Sequence, residues 1–301
     1  MRAKGLLFGL LILGLVAASC QQVPGDGKKL IVVTYSVLGS VVKEMVGDQA
    51  TVTISIPNGL DPHEWQPSVK DIETINKADL VVENGLGLEA GMLRALGQAK
   101  TNGVRVFTAT DHVAVRHVRV GEGASGDPDQ AAGAADPHLW TDPLAMKAVV
   151  HALAPELGQV LGVDLSARAA DLEKRLDDLN DEIVGMVSAI PPVDRKLVTG
   201  HESLGYFADR YGFTLVGVIV PGVSSQAEVS AADLAALKKA IEANRVKAVF
   251  TELGTSPAVA KAIGEATGTT VVELNTHTLS ADGSYFTHMR ELAGTVVEAL
   301  R

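Results

Sequence analysis

Two histidines of this 301-residue chain lie in nearly identical motifs. The motif Asp-Pro-His-Xaa-Trp occurs twice, and its two copies contain both tryptophans of the chain. Packing alone would select the aromatic ring, but not a histidine two residues before that ring. Proline stiffens each loop, and the aspartate can accept a hydrogen bond from the second ring nitrogen of a metal-bound imidazole. The repeat therefore predicts His63 and His138 as metal ligands, with Asp61 and Asp136 as their hydrogen-bond partners.

Two further histidines follow predicted strands of a parallel sheet. His201 comes after the apolar run 196–199 and a glycine, and His277 follows the run 270–274. Side chains at the carboxyl ends of parallel strands face the crevice in which open α/β sheets bind their ligands. We therefore expect His201 and His277 to reach the same cleft as the first two histidines. For His277 the alternative is a polar residue that only ends a strand.

The four histidines are separated by 75, 63 and 76 residues, which excludes a local zinc-finger motif and requires a site assembled by the whole fold. Neutral imidazoles suit Zn²⁺ and other borderline metals, and they suit Mg²⁺ or Ca²⁺ poorly. Four imidazoles leave the double positive charge of the ion uncompensated. The carboxylates of Asp136, Glu202 and Glu252 are the candidates for compensating charge around the ligands.

The other four histidines favour roles away from this site. His112 and His117 flank an irregular segment, and we interpret them as solvated loop residues, with weak, transient metal capture as the alternative. His151 lies inside a predicted helix and His288 inside the last one, and we interpret both as structural residues.

A zinc hydrolase is an alternative function, because the pairs His63-Glu64 and His201-Glu202 each place a potential ligand beside a potential general base. Neither pair continues to His-Glu-Xaa-Xaa-His, since position 67 is proline and position 205 is glycine. A catalytic zinc also requires an open coordination position. We therefore expect no enzyme activity. A surface adhesin that acts through protein contacts is the third class of function.

The first residues indicate export. Residues 1–19 combine two basic residues, an apolar core and a short run of small residues, which is typical of a secretory signal. Cys20, the only cysteine, follows directly and is predicted to carry a lipid, with plain cleavage as the alternative. Residues 20–29 then form a tether. We expect the protein in the periplasm or on the outer face of the cell membrane. A net charge of −10 argues against nucleic acid as a partner.

Short apolar strands alternate with helices along the rest of the chain, which predicts an α/β fold with parallel sheets. We expect an N-terminal lobe over 30–163 and a C-terminal lobe over 191–301. Within the first lobe, residues 111–135 are rich in Gly, Ala and Asp and are predicted to be a mobile surface loop.

One long rigid helix over 164–190 is predicted to link the two lobes, with the metal site in the cleft between them. This helix carries an apolar stripe with spacings of 4, 3, 4 and 3 residues. The stripe consists of Leu172, Leu176, Leu179, Ile183 and Met186. A coiled-coil dimer is the alternative explanation, but a strut packed between two lobes fits a helix that ends at two prolines.

Several longer motifs resemble those of one family, the cluster A-I metal-binding substrate-binding lipoproteins of ABC importers for zinc and manganese. They are Asn-Gly-Leu-Asp-Pro-His-Glu-Trp at 58–65, Ala-Asp-Leu-Val-Val-Glu-Asn-Gly at 78–85, Asp-Pro-His-Leu-Trp-Thr-Asp-Pro at 136–143, His-Glu-Ser-Leu-Gly-Tyr-Phe at 201–207 and Ser-Tyr-Phe at 284–286. The resemblance implies two (β/α) lobes joined by one long helix, and metal bound between them. It also implies a membrane permease and a cytoplasmic ATPase as partners, and we expect the binding protein to be a monomer.

The resemblance assigns the first three ligands to His63, His138 and His201. Manganese-type members resemble this pattern with a glutamate at the third position, so the histidine there points to Zn²⁺ as the cargo, with Mn²⁺ as the alternative. Two features depart from the family. Residues 111–135 replace the histidine-rich loop of many zinc members, and His277 falls where the family usually has an aspartate.

Overall fold

The structure is a computed structural model that describes residues 27–119, 122, 133–221, 223–226 and 228–301. The predicted signal segment and the predicted lipid attachment site Cys20 lie outside these residues. Within the described part of the chain, no helix combines the length and the apolar character needed to cross a membrane.

The N-terminal half forms one parallel sheet of four strands in the order β2-β1-β3-β4. The strands are β1 (Lys29–Tyr35), β2 (Ala50–Ile56), β3 (Leu80–Glu83) and β4 (Val106–Thr108), and the helices are α1 (Ser36–Val46), α2 (Val69–Asn76), α3 (Leu93–Thr101) and α4 (Pro143–Leu161). The central strand β1 consists of β-branched and other apolar residues whose side chains are buried from Ile31 to Tyr35. Burial on both faces is what a strand covered by helices on each side requires.

The C-terminal half repeats the strand-helix alternation with a divided sheet. Strand β5 (Lys196–Thr199) pairs in parallel with β6 (Thr214–Val218), and β7 (Ala248–Thr251) pairs in parallel with β8 (Thr270–Glu273). Strand β7 contacts β5, so the two pairs lie side by side. The helices are α6 (Gly205–Tyr211), α7 (Ala231–Asn244), α8 (Pro257–Thr267) and α9 (Tyr285–Leu300). The predicted α/β architecture with parallel sheets is confirmed. In the C-terminal half, two separate pairs of parallel strands take the place of one continuous sheet.

The long helix α5 (Ser166–Val187) lies between the two halves in the chain and spans about 33 Å at about 1.5 Å per residue. Leu172, Leu176, Leu179 and Ile183 of the predicted stripe are buried. At the last position the structure differs from the prediction, since Val187 is buried and Met186 is only half-buried. Helices α4 and α9 of the same chain cover α5, so the stripe has its packing partners within the chain.

The segment 111–135 is held at both of its described ends. Residues Ala109–His112 form a short 3-10 helix, and His117 pairs with Ala135 in an antiparallel bridge. Arg116 is buried in this segment, whereas the guanidinium group of an arginine on a surface loop is usually exposed. The prediction of mobility for the middle of the segment concerns residues 120, 121 and 123–132, which lie outside the described part.

Candidate metal centre

Four histidines converge where the two halves of the chain meet. His63, His138, His201 and His277 each offer one ring nitrogen, and these four atoms lie within 4.8 Å of one another. All four side chains are buried. The six distances between their ring centroids fall between 5.0 and 6.0 Å. The structure thus brings together every histidine that the sequence assigns to the site.

The closest ring nitrogens have the spacing of a tetrahedral metal shell. The Nε2 atoms of His63 and His138 are 3.3 Å apart, and those of His138 and His201 are 3.2 Å apart. A zinc ion with Zn–N distances of about 2.0–2.1 Å at its tetrahedral ligands would separate neighbouring nitrogens by about 3.3–3.4 Å. Three of the four nitrogens therefore already lie at distances that one small cation can bridge.

Both N-terminal histidines are held by the aspartate of their motif. Asp61 Oδ1 accepts a hydrogen bond from the backbone N–H of His63 at 2.9 Å, and Asp136 Oδ1 accepts one from the backbone N–H of His138 at 2.9 Å. The two copies of the motif thus form the same tight turn. This explains why the aspartate precedes the histidine by two residues in both copies.

Beyond the shared turn, the two aspartates differ. Asp136 Oδ1 lies 2.8 Å from His138 Nδ1 and accepts its proton, as the sequence predicts. This bond fixes the tautomer and leaves the Nε2 lone pair of His138 free to bind a cation. Asp61 instead directs Oδ2 to the C-terminal half, where it accepts a hydrogen bond from Ser225 Oγ at 2.6 Å. For Asp61 the predicted bond to the imidazole ring is replaced by this contact between the two halves.

The two C-terminal histidines share one carboxylate. Glu252 lies just past the end of β7, and its Oε1 atom accepts a hydrogen bond from the backbone N–H of His201 at 3.0 Å. The same oxygen lies 3.2 Å from His201 Nδ1 and accepts a hydrogen bond from Ser203 Oγ at 2.9 Å. Glu252 Oε2 accepts a hydrogen bond from the Thr276 hydroxyl. One buried carboxylate therefore lies behind both histidines.

The Thr276 hydroxyl links Glu252 to His277. Its Oγ1 atom lies 2.7 Å from His277 Nδ1, and because the hydroxyl proton is donated to Glu252, the oxygen accepts the Nδ1 proton. The Nε2 atom of His277 is then the unprotonated one. Among the described residues this buried atom has no hydrogen-bond partner. A buried acceptor without a partner is costly, and a bound cation would supply the missing partner.

The electrostatics keep most of the cluster neutral. Burial lowers the pKa of His63, His138 and His277 well below 6.5, and in each case the neighbouring imidazole of His138 or His201 adds to the shift. Burial would also lower the pKa of His201, but the Glu252 carboxylate raises it above 6.5. Neutral imidazoles are the form that binds metal, since a protonated ring has no free lone pair.

Two buried carboxylates compensate charge around the cluster. Burial alone would raise the pKa of Glu252, but His201 lowers it below the usual range, so Glu252 is ionised. Burial raises the pKa of Asp136 to about 6, so this group also carries a negative charge at neutral pH. Glu202 differs, because burial raises its pKa to about 8 and its two oxygens have no hydrogen-bond partner among the described residues. Of the three predicted candidates, Asp136 and Glu252 are therefore the two that are ionised beside the histidines, and their role in compensating the charge of a bound ion stays a prediction.

Interactions across the cleft fix the loop that carries His277. Trp140 is fully buried, and its Nε1 atom donates a hydrogen bond to the Thr276 carbonyl oxygen at 2.8 Å. The amide of Asn58 donates to the Leu279 carbonyl at 2.9 Å and accepts from the Leu279 N–H at 2.7 Å. The ring of Trp140 also lies 5.2 Å from His138 and 5.3 Å from His277. The tryptophan of the second motif therefore borders the site, whereas Trp65 of the first is only half-buried.

The remaining histidines lie away from the cluster. His112 stacks on Phe107 with ring centroids 4.5 Å apart, and His117 takes part in the bridge to Ala135. His151 is exposed on α4, where it lies 3.1 Å from Glu173. His288 is buried in α9, and its Nδ1 atom donates a hydrogen bond to the Thr278 carbonyl at 3.1 Å.

Comparison with known proteins adds an independent observation. The sequence model of the family described as "ZnuA: Zinc-uptake complex component A periplasmic" matches residues 31–299. The chain belongs to this family. The match begins in β1 and ends in α9, so both halves of the fold and all four histidines fall within the ZnuA family match.

Some relatives are named for manganese and others for zinc. The manganese-binding lipoprotein MntA of Halalkalibacterium halodurans is 26% identical over 97% of this chain and 97% of its own length. The zinc-binding protein TroA of Treponema pallidum is 27% identical over 93% of this chain and 86% of its own length. The zinc-binding lipoprotein AdcA of Streptococcus pneumoniae is 30% identical over 90% of this chain, which spans only 54% of AdcA.

Solved structures agree with the fold. The structure of TroA from Treponema pallidum superposes with a TM-score of 0.77 at 27% identity, covering 91% of this chain and 99% of TroA. A manganese-bound periplasmic metal-binding protein from Candidatus Liberibacter asiaticus superposes with a TM-score of 0.76 at 21% identity, covering 91% of this chain and all of that one. The α/β fold of this chain is thus shared with solved periplasmic metal-binding proteins.

Proposed function

We propose that this protein captures Zn²⁺ outside the cytoplasmic membrane and delivers it to an ABC-type importer. The observation that carries this proposal is the convergence of four buried imidazoles, three of whose Nε2 atoms lie 3.2–3.3 Å from a neighbour. In this proposal His63, His138, His201 and His277 are the ligands. Membership of the ZnuA family supports the transport role, with a membrane permease and a cytoplasmic ATPase as partners.

The chemistry of the donor set favours zinc over manganese as cargo. Imidazole nitrogen suits Zn²⁺, whereas Mn²⁺ is better served by carboxylate, carbonyl and water oxygens. Asp136 and Glu252 act in this proposal from behind the histidines, where they orient the rings and offset the charge of the ion. Manganese stays the alternative cargo, because one full-length relative is named for that metal.

The same donor set argues against hydrolysis. A catalytic zinc keeps one coordination position open for water or substrate, whereas four imidazoles complete a tetrahedral shell. Of the two glutamates that follow ligand histidines, Glu64 is exposed. The other, Glu202, has a pKa raised to about 8 by burial and is therefore protonated and a poor general base at neutral pH. We propose a binding protein without enzyme activity, held at the membrane through a lipid on Cys20.

A competition titration tests the proposal. Protein lacking residues 1–20 would be stripped of metal and titrated with Zn²⁺ and Mn²⁺ against a chromophoric chelator. We expect one Zn²⁺ per chain with sub-micromolar affinity, and a rise in the thermal unfolding midpoint when zinc is added, because a ligand that binds only the folded state stabilises it. Equal affinity for Mn²⁺ under competition would refute zinc as the cargo. The absence of stoichiometric binding of either metal would refute the function.

A further inference from the structure

The guanidinium of Arg116 lies at the centre of a charge cluster next to the histidines. It is buried, and each of its three nitrogens has a carboxylate partner: Nη2 pairs with Glu122 at 2.5 Å, Nη1 with Asp136 at 3.4 Å and Nε with Asp209 at 3.2 Å. These carboxylates come from three separate segments of the chain. Glu122 belongs to the arginine's own loop, Asp136 opens the second histidine motif, and Asp209 lies on α6 of the C-terminal half.

We propose that Arg116 is a positioning residue for the metal site: it holds Asp136 against His138 and ties this pair to α6 of the opposite half. The proposal rests on the proposed metal-binding function and extends it to a residue outside the ligand set. In this proposal the side chain of Arg116 both orients the ligand His138, through Asp136, and holds the two halves of the chain together, through Asp209.

The two carboxylate oxygens of Asp136 have different partners. Oδ1 accepts both the backbone N–H and the Nδ1–H of His138, so this oxygen sets the tautomer and the ring orientation. Oδ2 pairs with Arg116. The carboxylate is fully buried and cannot turn to water. Without Arg116, Oδ2 would be left as a buried charge without its cationic partner, which would weaken the hold of the carboxylate on the imidazole.

Helix α6 packs closely against the Arg116–Asp136 pair. Gly205 is the first residue of α6, and a Cβ atom built there would lie 2.2 Å from Asp136 Oδ2 and 2.5 Å from Arg116 Nη1. Only a residue without a side chain allows the helix to approach so closely. The backbone N–H of Arg116 also donates a hydrogen bond to Tyr206 Oη at 2.9 Å. The start of α6 is therefore packed directly on the Arg116–Asp136 pair.

The chain contains a matched control in Arg119. This residue makes a two-pronged ion pair to the same Asp209, with distances of 2.7 and 2.6 Å. Its side chain is 61% exposed, and its ion-pair partners in the described part of the chain are Glu122 and Asp209, not Asp136. Removal of Arg119 therefore weakens the contact with α6 without touching the partner of His138. An ion pair this exposed to solvent contributes little to stability.

Measurement of zinc affinity in variants tests the proposal. The variants to compare with the wild type are Arg116→Met, Arg116→Lys and Arg119→Met. We expect Arg116→Met to raise the Kd for Zn²⁺ about 10- to 100-fold, as loss of a partner behind a metal ligand does. Arg119→Met should change it less than about fivefold. Arg116→Lys should fall between them, because one ammonium cannot span the partners of a guanidinium fork. Equal losses for Arg116→Met and Arg119→Met would overturn the proposal.

A double-mutant cycle separates an effect through Asp136 from general loosening of the fold. In an Asp136→Asn background, Arg116→Met should weaken zinc binding by less than about threefold, because the interaction it removes is already impaired. Additive losses would contradict the proposal.

A nuclear magnetic resonance signal gives a readout that does not depend on affinity. The Nδ1 proton of His138, buried and bonded to Asp136, should be observable in the wild type and in Arg119→Met, and lost to exchange in Arg116→Met. Its persistence in Arg116→Met would overturn the positioning role. If wild-type protein binds no metal, the proposed function fails, while this signal still decides the role of Arg116.

Discussion

Trp140 and Thr276 join the two halves of the protein beside the four histidines, through a hydrogen bond of 2.8 Å from the indole Nε1 to the threonine carbonyl oxygen. Thr276 precedes His277, and Trp140 belongs to the motif that carries His138. One contact therefore fixes a histidine loop of each half relative to the other. The position of the His277 loop beside His138 therefore depends on these specific residues as well as on general packing.

Replacing Trp140 by Phe should reduce both stability and zinc affinity. The change removes the hydrogen bond and leaves the buried Thr276 carbonyl without its donor, which costs about 1–3 kcal/mol. Chemical unfolding of the metal-free protein measures the stability, and competition titration measures the affinity. Trp65→Phe is the control, since that ring is only half-buried and should cost less. An equal effect of both variants would argue against the specific contact.

Thr276→Val tests the hydrogen-bond chain from His277 to Glu252. Valine matches the shape of threonine but leaves His277 Nδ1 and Glu252 Oε2 without their shared hydroxyl. Because such partners orient a metal ligand, we expect zinc affinity to fall about 10- to 100-fold. Thr276→Ser should restore most of it. A valine variant that binds zinc like the wild type would show that His277 does not depend on this chain.

His277→Ala addresses the histidine that falls where the family resemblance leads one to expect an aspartate. Loss of one of four ligands should weaken Zn²⁺ binding by more than loss of a partner behind a ligand, hence more than about 100-fold. His277→Asp should recover part of the affinity and improve relative binding of Mn²⁺, since oxygen donors suit manganese. Competition titrations of the two variants check both expectations. Wild-type affinity of His277→Ala would place His277 outside the shell.

Acid should destabilise the metal-free protein partly through His288. Burial lowers the pKa of His288 to about 4, against about 6.5 in the unfolded chain. The unfolded state therefore binds the proton more readily between these values, and stability is lost as pH falls from about 6.5 towards about 4. This difference corresponds to about 3 kcal/mol.

Urea unfolding at pH 7 and pH 4 measures this contribution. The loss of stability between the two pH values should be smaller by about 3 kcal/mol in His288→Gln than in the wild type. A His288→Gln variant with the pH dependence of the wild type would contradict this assignment.

The fold and the grouping of the histidines follow from local features of the sequence. Buried runs of β-branched residues such as β1 predict the strands of a parallel sheet. The ends of strands β5 and β8 predict the edge of the sheet at which His201 and His277 lie. The repeated motif reveals His63 and His138 because its turn needs an aspartate two residues earlier. Each of these signals lies within a few residues of the side chain that it positions.

Contacts between distant segments were not predictable in the same way. Arg116 meets Asp209 across 93 residues, Asp61 meets Ser225 across 164, and Trp140 meets Thr276 across 136. Nothing in the local sequence around Arg116 distinguishes a buried guanidinium from a solvated one in a Gly- and Ala-rich segment. Contacts with α6 and with the second histidine motif, both distant in the chain, contribute to the burial of this arginine. A polar residue next to a candidate ligand, such as Thr276, was the one signal that local inspection could have used.

X-ray absorption at the zinc edge of the one-to-one complex tests the four-histidine site most directly, because it counts imidazole ligands around the bound ion. We expect four nitrogen ligands at about 2.0–2.1 Å, with the outer-shell scattering of four imidazole rings, and three rings after His277→Ala. A wild-type spectrum with three imidazoles and an oxygen ligand, unchanged by His277→Ala, would contradict the account.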